Sequence, residues 1–135
     1  MKKLVLSILA ICPALVLNAA ESDWLTDMPK ALAQAQQEKK MVLVDFTGSD
    51  WCGWCIKFKK DVLSKPAFVK YAKKNLVLVE LDFPRHKAQD NAQRAANRKL
   101  KDQYKVRGFP TLLLLDASGK EVWRQVGYLC LLYTS

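Results

Sequence analysis

Met41-Val42-Leu43-Val44-Asp45-Phe46 runs through Thr47-Gly48-Ser49-Asp50 into Trp51-Cys52-Gly53-Trp54-Cys55. The first six residues form a short apolar run of the kind that makes a buried strand. From Ile56 to Leu63 the pattern is helical, and the two cysteines stand where the strand has ended and the helix begins. At i and i+3 on a first helical turn, their side chains share one face, close enough for a disulfide to form and open with little backbone movement. Cys52 then sits beside unsatisfied backbone N–H groups at the positive end of the helix dipole, which favours thiolate over thiol. A stabilised thiolate both attacks and leaves well in thiol–disulfide exchange. This makes Cys52 the nucleophile and leaves Cys55, one turn deeper, to resolve the mixed disulfide.

Competing chemistries for this pair are weaker. Zinc wants four ligands, and outside the N-terminal segment only Cys130 and His86 are added, at no recognisable spacing, so no metal site is expected. A purely structural disulfide across two residues closes almost no loop and contributes little stability. A Cys/His hydrolase would have to use His86, the single histidine, which lies in a polar stretch after Pro84.

Outward from this stretch, helices and strands alternate. Between Trp24 and Lys40, Asp27 is an N-cap, Pro29 falls in the first turn, and Ala31, Leu32 and Ala35 recur at helical spacing. Ser64-Lys65-Pro66 interrupts the helix after the cysteines, and a second helical piece carries Phe68, Val69 and Tyr71. Leu76 to Phe83 is a second buried strand. Ala88, Ala92, Ala95, Ala96, Leu100 and Tyr104 form a helical stripe, Gly108-Phe109-Pro110 punctuates the chain, and Thr111 to Leu115 is a third strand. Asp116 to Lys120 is turn chemistry, and Glu121 to Val126 returns as the other arm of a hairpin. The order predicts an α/β layer fold with a partly parallel sheet closed by an antiparallel edge. Five glycines, at 48, 53, 108, 119 and 127, supply neither a dinucleotide fingerprint nor a phosphate loop.

The 135 residues, 50% hydrophobic and 26% charged, amount to one globular domain. Lys2 and Lys3, the apolar stretch Leu4 to Leu17 and the small residues Ala19-Ala20 read as a cleaved export signal over residues 1–20. The apolar run, broken at Pro13, is shorter than the ~20 residues of a membrane-spanning helix, so no stable membrane insertion is expected after cleavage. The formal charge is +9, or +7 without Lys2 and Lys3, and the basic residues are scattered over helix faces. No zinc-finger or RNA-binding signature accompanies them, and nucleic acid is not an expected partner.

Val42 to Phe46, Trp51-Cys52-Gly53-Trp54-Cys55, Gly108-Phe109-Pro110-Thr111 and the hairpin from Gly119 to Gly127 together resemble the thioredoxin-fold family, in particular its exported thioredoxin-like members. The resemblance covers residues 41–127. It implies a thioredoxin fold, a central mixed β-sheet flanked by helices, with Cys52 and Cys55 as the redox pair and Pro110 as a cis-proline facing them. It implies that Phe109 and Thr111, with Trp51, Gly53 and Trp54 around the reactive sulfur, receive an extended substrate segment. Asp45 matches the family's buried carboxylate, which moves a proton to or from the resolving cysteine. The loop from Asp45 to Cys52 is one residue longer than the common pattern, which makes Asp50 a competing acid. Gly53-Trp54 is neither Gly-Pro nor X-His, and without a histidine to stabilise the thiolate a reductase or isomerase is favoured over a strong oxidant. Lys57 and Lys59 would lower the thiol pKa from nearby.

The family's final helix should follow the hairpin. Tyr128 to Ser135 are too few to supply it and six of these eight residues are apolar or aromatic, so residues 128–135 read as a tail that departs from the domain at 21–127. The expected function is exported thiol–disulfide exchange with protein thiols and disulfides, periplasmic in a bacterium with an outer membrane and secreted otherwise. It needs no bound cofactor beyond the Cys52–Cys55 disulfide, and a partner protein recycles the pair. The alternative is a redox-inactive binding module or metal carrier using the surface around Phe109 and Trp54.

Overall fold

A computed structural model describes residues 23–128. Residues 1–20, expected to be an export signal, with Cys12, Cys130 and the tail beyond Tyr128, lie outside the described residues. The elements are β1 (Trp24–Leu25), α1 (Met28–Glu38), β2 (Met41–Thr47), α2 (Gly53–Phe58), α3 (Pro66–Asn75), β3 (Leu76–Asp82), α4 (Asn91–Gln103), β4 (Thr111–Leu115) and β5 (Glu121–Val126). They build one five-stranded sheet in the order β1-β3-β2-β4-β5. β1, β3 and β2 run parallel, and β4 and β5 are antiparallel to their neighbours. This is the mixed α/β arrangement that the element order predicts.

Strand alternation separates two cores. Val42, Val44 and Phe46 of β2 point with Val77, Val79, Leu81, Leu113 and Leu115 towards Met28, Ala31 and Ala35 of α1, and Leu100 of α4 packs on the same cluster. Leu43, Leu78 and Leu112 point the other way, against Phe58, Leu63 and Ala72. By this alternation Asp45 falls on the same face as Leu43, beneath the helical segment that carries the cysteines.

Local chemistry sets the boundaries. The Asp27 carboxylate accepts the Lys30 N–H at 2.9 Å and caps α1. The chain just before it pairs as β1 with Leu78 and Val79, a two-residue edge strand that helical periodicity gave no sign of. α2 passes into a π-helical turn, Lys59–Leu63, before Pro66 opens α3. α4 starts at Asn91 with Asp90 as its cap, so Ala88, read as the first residue of the helical stripe, belongs to the preceding loop. Buried Asn97 donates to the Asp82 carbonyl at 2.9 Å and ties α4 to the end of β3. Beside β5, Leu43, Phe58, Leu76, Leu112, Leu114 and Trp123 line an apolar groove of about 250 Å³.

Candidate active site

Cys52 and Cys55 are joined in a disulfide at the start of α2, with Cα atoms 5.2 Å apart. Cys52 is the N-cap, and its Sγ accepts the Cys55 N–H at 3.3 Å, so an orphan donor of the first turn points at the sulfur. Both cysteines are buried. Gly53 and Trp54 between them are exposed, and Trp54 is 61% accessible. Its ring stacks on Tyr128 at 5.7 Å between centroids, and Tyr128 also meets Phe58 edge-on and donates its hydroxyl to Asp61 at 3.0 Å.

The peptide bond between Phe109 and Pro110 is cis, the isomer that the resemblance implies. Pro110 is buried, and its carbonyl accepts the Gly127 N–H at 2.8 Å. Thr111 is also buried, with its hydroxyl donating to the Gly108 carbonyl at 2.7 Å. Its side chain therefore braces the loop from inside and does not face an incoming substrate. Phe109 packs on Phe83 at 5.0 Å and edge-on against Trp51 at 6.0 Å.

Trp51 is held on every side. Its Nε1 donates to the Phe83 carbonyl at 2.7 Å, and the Arg85 guanidinium lies 3.7 Å above its ring. Gly48 passes beneath the indole so closely that a Cβ there would fall 2.5 Å from the ring. This is the one glycine of the stretch that close approach requires.

The longer loop before the cysteines has its own partner. The Asp50 carboxylate accepts three successive backbone N–H groups, from Arg85 at 3.0 Å, His86 at 2.8 Å and Lys87 at 2.7 Å. These bonds, led by that of Arg85, hold its pKa down to about 2. An acid this strong stays ionised, so Asp50 is a structural anchor and does not compete with Asp45 for a proton. Ser49 adds a second tie, giving its N–H and hydroxyl to the Asp82 carboxylate.

Asp45 is buried, and its Oδ1 has no hydrogen-bond partner among the described residues. Burial chiefly, and then the negative charge of Glu80, push its pKa up to about 7, while Lys59 pulls the other way. Glu80 is the register partner of Asp45 on β3, and Lys59 Nζ reaches Glu80 at 2.7 Å. Lys57 pairs with Asp61, also at 2.7 Å. The two lysines expected to act on the thiol thus have carboxylate partners. Glu80 was not among the predicted site residues, although a charge inside the otherwise apolar Leu76 to Leu81 run was a signal for it; Lys59 was expected to act on the thiol, and the structure pairs it with Glu80 beside Asp45 instead.

Comparison with known proteins places these features. A family described as a thioredoxin-like domain matches residues 28–130. The chain belongs to the thioredoxin-like family. It is 43% identical over 106 residues to a protein named disulfide bond reductase DsbH of Chlamydia pneumoniae, an alignment covering 78% of this chain and 63% of that protein. It is 35% identical over 101 residues to the thioredoxin-related protein DsbJ of the same organism, covering 75% of this chain and 29% of that one. This thioredoxin-like chain therefore spans less than two thirds of the length of either relative. A solved structure described as DsbH oxidoreductase superposes with a TM-score of 0.73 at 38% identity, covering 91% of this chain and 85% of that one. Among the described residues, no group of three or more His, Cys, Asp or Glu side chains is placed to hold a metal ion, and no helix is long and apolar enough to cross a membrane.

Proposed function

We propose that this chain is an exported thiol–disulfide oxidoreductase that reduces or isomerises disulfides in other proteins, periplasmic where the cell has an outer membrane. The observation that carries the reading is the Cys52–Cys55 disulfide at the head of α2, where the backbone favours a thiolate at Cys52. The kinship with a protein named disulfide bond reductase supports the reducing direction.

In the reduced protein the Cys52 thiolate attacks one sulfur of a substrate disulfide, forming a mixed disulfide and releasing the other substrate sulfur as a thiolate. Cys55 then loses its proton and attacks the Cys52 sulfur. This restores Cys52–Cys55 and frees the second substrate thiolate, so two electrons pass from the pair to the substrate. Asp45, poised near neutrality, is the base for the Cys55 proton. The substrate segment lies along Phe109, with Gly53 and the exposed Trp54 on its other side. A dithiol protein recycles the pair, and no bound cofactor is needed.

Insulin reduction with dithiothreitol as terminal reductant tests the reading. The full-length protein should turn over well above background, and Cys52→Ser should abolish the gain. A parent rate equal to background would refute it.

A further inference from the structure

The segment Phe83 to Lys87 forms one wall beside the cysteines, and the catalytic reading above leaves it without a role. Asp50 gathers the N–H groups of Arg85, His86 and Lys87, so three consecutive side chains project outward from a pinned arc, all exposed. Arg85 rests on the Trp51 ring, and Trp51 in turn touches Phe109. Lys87 Nζ bonds the Ser49 hydroxyl at 2.9 Å, and with Lys60 it lines a cleft of about 380 Å³ that reaches Cys55. The ion pairs among the described residues engage Lys40, Lys57, Lys59 and Arg124, and none neutralises Arg85, Lys87 or Lys60. Arg85 and Lys87 are positioned by a ring, a hydroxyl and a fixed backbone, with no side-chain ion pair to a carboxylate among the described residues. Two carboxylates lie nearest by connectivity: Asp50, whose oxygens are turned to the backbone amides, and Asp82, which the Ser49 hydroxyl links to Lys87.

We infer that the Arg85–His86–Lys87 arc is a docking rim for acidic protein segments, selecting substrates whose reactive disulfide is flanked by Asp and Glu. A pinned loop loses little freedom on binding, and cationic rims act mainly by steering encounter, so the selection falls on the association rate. The inference rests on the exchange reaction proposed above.

The test uses three peptides with one internal disulfide and the same core sequence, flanked by Asp/Glu, by Ser/Gly or by Lys/Arg. Each is reduced by the full-length protein with dithiothreitol, and the ratio of rates within one preparation cancels any change in Cys52 reactivity. At ~20 mM salt the acidic peptide should react on the order of tenfold faster than the neutral one and the basic peptide slower, with the ratio collapsing at ~500 mM salt. The double variant Arg85→Gln/Lys87→Gln should lose the preference, which places it on this loop; the salt series on the unaltered protein establishes that the preference is electrostatic. Equal rates for acidic and basic peptides overturn the docking rim while leaving the exchange reaction standing. A preference that survives the double substitution overturns its placement on this loop. Reduction of none of the peptides overturns both readings.

Discussion

Asp45 on β2 and Glu80 on β3 are register partners in the parallel pair, so two carboxylates share one face of the sheet with a single cation, Lys59, drawn to the outer one. Water reaches Glu80 but not Asp45, and the inner group responds by holding its proton to about pH 7. That elevation has a thermodynamic consequence. Between the unfolded value near 4 and about 7 the folded state binds more protons at Asp45, so stability falls as pH rises through that window. The full difference is at most roughly 4 kcal/mol. Asp45→Asn should flatten the decline, and melting temperatures of the oxidised parent and variant from pH 4 to pH 8 would reveal it. A parent whose stability does not fall across this range argues against a buried, uncompensated Asp45.

Glu80 and Lys59 act on Asp45 in opposite directions. Glu80→Gln removes a repulsive charge and should move the Asp45 titration downward; Lys59→Met removes the attractive one and should move it upward. Each shift should carry the pH profile of the resolving step in the same direction. Carbon-detected titration of the Asp45 carboxylate, alongside single-turnover exchange at several pH values, checks both. Shifts of the same sign would contradict the assignment.

Asp50 makes the opposite contribution to pH dependence. Its pKa is held low by bonds to the backbone of Arg85, His86 and Lys87, so its stabilisation is complete above about 4 and is lost as pH falls towards 2. Asp50→Asn should lower the melting temperature at neutral pH, with the gap to the parent narrowing in acid. Amide exchange at Arg85, His86 and Lys87 should quicken in the same variant; unchanged protection there would mean the loop is held by something else.

Gly48→Ala places a methyl group inside the Trp51 indole, so the ring must move and break its bond to the Phe83 carbonyl. A cost of about 1–3 kcal/mol is expected. Urea unfolding measures it, and a changed near-ultraviolet circular dichroism spectrum would locate the disturbance at the tryptophan.

The cysteine pair, its place between strand and helix, and the main helices and strands with their closing hairpin were legible because they rest on local rules: apolar runs, i to i+3 spacing and turn residues. Asp45 was named through the resemblance to the family's buried carboxylate. What Asp50 does was not legible, because its three donors lie 35 to 37 positions away in sequence, and only the fold brings them together. Thr111 was named through the family resemblance and read as the start of a strand; which way its side chain points depends on the register of β4, which buries it. The pairing of Lys59 with Glu80 depends on a π-helical turn that no periodicity signals.

The central claim is that Cys52 and Cys55 cycle as an electron donor to protein disulfides. The most direct test is the reduction potential of the pair, measured by equilibration with glutathione or with a thioredoxin of known potential. With Gly53-Trp54 between the cysteines and no histidine beside them, the value should fall nearer to the thioredoxin range of about −270 mV than to the oxidant range of about −120 mV. A potential at the oxidising end would contradict the reductant assignment and make this chain a disulfide donor.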